Sequence, residues 1–128
     1  MCKAIVMVLL AVVSSSATAE WVEIFRDESY TRYYDPATVS QAGNMVKMWD
    51  LFDFKAAKVV DGKPFMSAKS QFEYDCMEQR MRSLHTSGYS GNMGAGEVVF
   101  SNSNPLEWRP IRPGAIGAKL MELACGKR

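Results

Sequence analysis

The residue types able to perform proton transfer or covalent chemistry are few in this chain and poorly grouped. His85 is the single histidine. Ser83 and Ser87 flank it at two-residue spacing, so on extended backbone all three share one face. Nothing marks either serine as an activated nucleophile, which needs a base that is itself held by a third group. The pattern reads as a strand histidine beside a turn. A structural zinc site takes four Cys or His ligands at short spacings, which one histidine and the distant Cys76 and Cys125 do not supply. Asp50 and Asp53, three apart, fall on opposite faces of a strand and cannot work together as acid and base. Gly88, Gly91, Gly94 and Gly96 lead into the strand pattern Glu97-Val98-Val99-Phe100, whereas phosphate-cradling glycine loops open a helix. They read as a tightly turning loop. The sequence therefore predicts no catalytic residue, no metal site and no bound cofactor.

The cysteines instead speak of architecture. Lys3 followed by the apolar run Ile5–Val13 and the small-x-small triplet Ala17-Thr18-Ala19 has the three parts of a secretory signal, which predicts removal of residues 1–19 and a mature start at Glu20. The apolar run is about half the ~20 residues of a membrane span. Cys2 precedes that run, and Ser14-Ser15-Ser16-Ala17 places no cysteine for lipid attachment at the cleavage site. The expectation is an exported protein, in the periplasm or at the cell surface, without a lipid anchor. In an oxidising compartment Cys76 and Cys125, the only pair left, should form a disulfide. The formal charge of +1 falls to about zero without Lys3, which lacks the basic excess of nucleic-acid binders.

The remainder, residues 20–128, reads as one domain with a single core. Trp21–Phe25 and Tyr30–Tyr34 read as strands, and Asp35-Pro36 should stop the second, because proline cannot donate to a ladder. Gln41–Asn44 reads as a turn. Met45–Phe54 is the clearest strand, with Val46, Met48, Phe52 and Phe54 on the core parity. Asp50 interrupts that parity, as a bulge or as a buried hydrogen-bonded carboxylate. Residues 60–64 form a turn. Ser67–Ser87 reads as long extended chain with a bend or bulge after Cys76, where the apolar parity changes. Glu97–Phe100 is a short strand. From Ile116 the period becomes helical, with Ile116, Leu120, Leu123 and Ala124 as the apolar arc, Met121 and Cys125 at its margin, and Gly126 as the stop. The fold class is thus α+β: about six mostly antiparallel strands, and one C-terminal helix that must bury its arc on one face of the sheet. A Cys76–Cys125 bridge would pin it there. Closing a loop of about 50 residues contributes roughly 4 kcal/mol in the chain-entropy account.

On the other parity of the central strand lie Lys47, Trp49 and Leu51, and a phase change after Cys76 brings Arg80 and Arg82 to the same face. Trp and Arg are the residues most enriched at interface hot spots, so these five are the candidate partner-binding residues. A solvated face or a homodimer contact is the plainer alternative.

Several segments occur in a telling order: Tyr33-Tyr34-Asp35-Pro36, Lys47–Phe54, Glu73-Tyr74-Asp75-Cys76 with Arg80-Met81-Arg82, Tyr89–Gly94, Trp108, Pro113-Gly114 and Cys125. Together they resemble the surface-adhesin protein E family of bacterial envelope proteins. The resemblance implies a non-enzymatic adhesin that binds host extracellular-matrix or serum proteins through an antiparallel sheet with a disulfide-tethered helix. The chain departs from that pattern in lacking a lipid-anchor cysteine. The alternative is a periplasmic envelope-assembly module or enzyme inhibitor acting on an endogenous partner.

Overall fold

The structure, a computed structural model, describes residues 19–126. The leader expected over residues 1–19 lies, apart from Ala19, outside the described residues. No described helix is long and apolar enough to cross a membrane.

The strands are β1 (Val22–Arg26), β2 (Tyr30–Ala42), β3 (Met45–Val60), β4 (Lys63–Asp75), β5 (Arg80–Tyr89), β6 (Val98–Asn102) and β7 (Arg109–Pro110), followed by α1 (Ile116–Cys125). The first six form an antiparallel meander in chain order, and β7 pairs with the end of β5 that β6 leaves free. Such local pairing follows from short turns between strands of high β-propensity. At the tip of the β3–β4 hairpin, Asp61 and Gly62 both have positive φ, the geometry that matches strand twist in a two-residue turn.

Two expected breaks take another form. Proline does interrupt pairing in β2, but the chain resumes it: register jumps from Asp35↔Trp49 to Ser40↔Lys47. The extruded residues are satisfied locally. Thr38 Oγ1 donates to the Asp35 carbonyl (2.7 Å) and accepts from the Trp49 amide (3.0 Å), and Asp35 Oδ1 accepts from the Ala37 amide (3.0 Å). The bend expected after Cys76 is a complete reversal between β4 and β5. Asp75 holds it, accepting from the Glu78 amide at Oδ1 (3.1 Å) and from Arg80 Nε at Oδ2 (3.0 Å), with Gln79 in left-handed backbone. No glycine, proline or asparagine marks this turn.

The helix lies on the face that carries Val46, Met48 and Tyr74. These three and Leu120 are at most 1% exposed, and Ala124 completes the cluster with Ile24, Tyr34, Phe72, Met81, Ile116 and Met121 around it. Full burial of each large side chain contributes about 1.5–3 kcal/mol. Leu123, expected in the arc, is exposed, because Leu120 and Ala124 define its centre. Gly117 passes close to Met81 Sδ, so a small residue lets the helix approach the sheet there. Gly126 ends the helix at φ +76°, and the Cys76–Cys125 disulfide ties its last turn to the end of β4.

The helix covers only one end of this face. Beyond it Phe52 and Phe54 share the parity of Met48 but meet other rings instead of the helix: Tyr30 lies 6.0 Å from Phe52, Phe65 lies 5.8 Å from Phe54, and Phe100 lies 5.1 Å from Phe65. Phe100 packs directly over Gly88, where any Cβ would collide with the ring. Gly88→Ala should cost about 1–3 kcal/mol by overpacking, measured by urea unfolding, and Gly88→Ala combined with Phe100→Ala should recover part of that loss.

Candidate functional site: a tryptophan–arginine face

The face opposite the helix, called here the outer face, is set by register. Lys47 pairs with Glu73, Trp49 with Gln71 and Leu51 with Lys69; Glu73 pairs with Arg82, Asp75 with Arg80 and Gln71 with His85. All these side chains share one side of the sheet. The reversal at residues 76–79 thus places Arg80 and Arg82 on the same face as Lys47 and Trp49, with Glu73 and Gln71 of β4 between the two groups.

Of the five residues expected at the surface, Leu51 is displaced from that role. It is 0% exposed. The glycine-rich loop folds back across its end of the outer face: Asp53 Oδ1 accepts from Asn92 Nδ2 (3.0 Å) and the Met93 amide (2.8 Å). Ser67 Oγ donates to the Gly91 carbonyl (2.6 Å) and accepts from the Gly94 amide (2.8 Å). Leu51 therefore supports the surface from below. The loop is a packed cover, and Gly94, at φ +73° against the Lys69 side chain, could carry no side chain without moving it.

Lys47 is exposed, and Trp49 is half-buried, its ring edge-on to His85 at 5.5 Å. His85 Nε2 hydrogen-bonds with Ser87 Oγ (2.9 Å) and Nδ1 with Ser103 Oγ (2.7 Å). Ser83 bonds instead with Thr86 (3.3 Å), because a register shift separates it from His85. Both ring nitrogens meet hydroxyls, so no carboxylate orients this imidazole as a base. It buttresses Trp49.

Arg82 pairs with Glu73 (2.8 Å) and Arg80 with Asp75 (3.0 Å). Burial raises Asp75's pKa, but hydrogen bonds outweigh it: the Glu78 amide first, then Arg80, hold the carboxyl below its ordinary value. Over both guanidiniums lies Trp108, its ring centroid 4.6 Å from Arg80 Cζ and 4.4 Å from Arg82 Cζ. Cation–π contacts of this kind are each worth about 0.5–2 kcal/mol. Trp108 reaches this position because Arg109 opposes Met81 on the helix face, which turns the preceding residue outward. Sequence reasoning missed it as a site residue. The only signal was its place before Arg-Pro, too short a segment to show a period.

Next to this ridge is a shallow cleft of about 240 Å³ lined by Trp21, Asp35, Thr38, Trp49, Lys69 and Tyr89, with Ala19, the last residue of the expected leader, also in the lining. Lys69 Nζ caps the Tyr89 ring at 5.1 Å. The outer face thus offers three aromatic walls around a recess, continuous through Trp49 and His85 with a ridge of Arg80, Arg82 and Trp108. Aromatic anchors and arginines concentrated on one surface are the composition of a protein-binding patch. Among the described residues no group of three or more His, Cys, Asp or Glu side chains is placed to hold a metal ion.

A meandering antiparallel sheet, a disulfide-tethered helix packed on one face and an aromatic–arginine outer face define the architecture of this domain. The chain belongs to the surface-adhesin protein E family, whose model matches residues 21–126. It is similar in fold to crystal form II of Haemophilus influenzae protein E, with a TM-score of 0.63 at 11% identity over 81% of this chain and 95% of that one. Protein E from non-typeable Haemophilus influenzae gives a TM-score of 0.57 at 11% identity over 82% and 83%. A search of curated proteins gave no match.

Proposed function

We propose that this domain is an exported, non-enzymatic protein-binding module that takes its partner on the outer face. The observation that carries the reading is the recess walled by Trp21, Trp49 and Tyr89 beside the Trp108–arginine ridge. A recess of about 240 Å³ accepts a projecting apolar side chain, and the ridge supplies guanidinium edges to surrounding acceptors. Lys47, Trp49, Arg80 and Arg82 are the contact residues, Trp108 joins them, and Leu51 holds the strand beneath. Family membership favours an adhesive partner, a host extracellular-matrix or serum protein. A periplasmic partner, an envelope-assembly component or an enzyme, is the second reading. Cell fractionation separates the two readings: surface exposure supports adhesion, and periplasmic retention supports the internal partner.

Binding of the immobilised domain to a panel of matrix and serum proteins, and to proteins of the cell-envelope extract, tests the site. Trp49→Ala should weaken the partner identified by about 2 kcal/mol or more, and Trp108→Ala should also weaken it. Arg80→Ala with Arg82→Ala should slow association and flatten its salt dependence. Thermal melts of each variant separate lost contact from lost fold. Unchanged affinity in folded Trp49→Ala and Trp108→Ala would remove this face from the account. A hydrolytic activity lost with His85→Ala would remove the non-enzymatic reading.

A further inference from the structure

The helix face carries a second surface that the reading above does not use. Past the end of α1, the rings of Phe25, Tyr30, Phe54, Phe65 and Phe100 run as neighbours across five strands, each half-buried, with centroids 5.1–6.3 Å apart. Phe52 and Phe72 lead from the strip into a cleft of about 330 Å³ that Ile111 and Gly117 also line, and the Arg32 guanidinium lies 4.5 and 5.4 Å from the two ring centroids.

The lining of this cleft is cationic. Arg32 and Arg82 line it but are engaged by Asp50 and Glu73. Arg109 and Arg112 also line it, both are exposed, and neither belongs to an ion pair among the described residues. Glu107 is the single carboxylate in the lining. Two unengaged guanidiniums set against one carboxylate leave an excess of one positive charge. An aromatic strip that leads into such a lining is complementary to a ligand with one negative charge at the tip of a hydrocarbon chain. A dianionic head would leave charge uncompensated.

We propose that this cleft binds a free fatty acid, its chain along the Phe52–Phe54 strip and its carboxylate between Arg109 and Arg112. Guanidinium and carboxylate match in bidentate geometry. A half-buried row of rings gains from being covered by methylenes, at about 0.8 kcal/mol for each one buried.

Titration calorimetry of the mature domain with dodecanoate, kept below its critical micelle concentration, tests this. A single saturable site is expected. Arg109→Gln with Arg112→Gln should weaken it about tenfold or more, and since both side chains are exposed and unpaired the fold should be retained, which circular dichroism checks. Uncharged dodecyl maltoside should bind at least about tenfold more weakly than dodecanoate. Absence of saturable binding, equal affinity in the double variant, or equal affinity for the uncharged amphiphile would overturn the proposal. Tighter binding of dodecyl phosphate than of dodecanoate would overturn the carboxylate assignment.

Discussion

Arg32→Ala should destabilise the domain by about 3–5 kcal/mol at neutral pH, the largest loss expected from any single substitution here. Asp50 is 0% exposed and Arg32 11%, and Arg32 reaches Asp50 Oδ2 through Nε (3.0 Å) and Nη2 (2.7 Å). Asp50 Oδ1 and the neighbouring Tyr74 hydroxyl are buried without a protein hydrogen-bond partner. Removing the guanidinium leaves an uncompensated carboxylate inside the helix–sheet layer. It also removes the cation stacked 4.5 Å over Phe52. Replacing the pair together, Arg32→Met with Asp50→Leu, should cost far less, because no charge is then buried. Urea unfolding measures both. A loss below about 1 kcal/mol for Arg32→Ala would show that water reaches Asp50.

The same pair sets a pH dependence. Burial raises the Asp50 carboxyl from 3.8 to about 6, although Arg32 pulls it the other way. Burial, then the Asp50 charge, also push the Tyr74 phenol upward. A carboxyl raised in the folded state binds its proton more tightly there than in the unfolded chain. Its contribution favours folding fully below about pH 4 and is lost as pH rises through about 6. The loss across that window is about 3 kcal/mol. Asp50→Asn should abolish this component of the slope between pH 4 and 6, read from unfolding free energies at several pH values. A slope unchanged by Asp50→Asn would assign the titration elsewhere.

Cleaving the Cys76–Cys125 bridge should lower stability by about 2–5 kcal/mol. The bridge closes a loop of sequence separation 49 and holds the last turn of a ten-residue helix whose buried side chains are Leu120 and Ala124. A helix of that length is not stable alone, so the loss should appear first as detachment of α1. Cys76→Ser with Cys125→Ser, compared with the oxidised protein by denaturant titration and by circular dichroism, tests this. Unchanged stability would mean that the Leu120 cluster suffices.

The bridge, the helix and the sheet were legible because each rests on a simple pattern: the two cysteines left once the expected leader is set aside, a 3.6-residue period closed by Gly126, and alternation along β3. Asp50 was legible as a break in that alternation, and its continuous pairing through Asp53 resolves the break as a buried carboxylate instead of a bulge. The break after Cys76 was legible as a change of parity but not as a full reversal, because a single Asp75 side chain organises the turn without the glycine, proline or asparagine that usually marks one. The burial of Leu51 depends on a cover supplied by residues 91–94, about forty positions away, which strand parity cannot reveal. Trp108 joins the site only through a two-residue strand paired with Arg80 and Met81, too short to leave a signal. The aromatic strip was visible as core parity, but its place beyond the helix follows from the helix being shorter than the sheet.

Hydroxyl-radical footprinting of the domain with and without the partner captured reads recognition through the outer face side chain by side chain. Side-chain oxidation reports on one face at a time, as amide exchange in a sheet does not. Protection should fall on Trp49, Trp108 and Tyr89, with Leu123 on the helix and Met77 in the turn as reactive as before. Protection confined to the helix or to the aromatic strip, with Trp49 and Trp108 unchanged, would contradict the account.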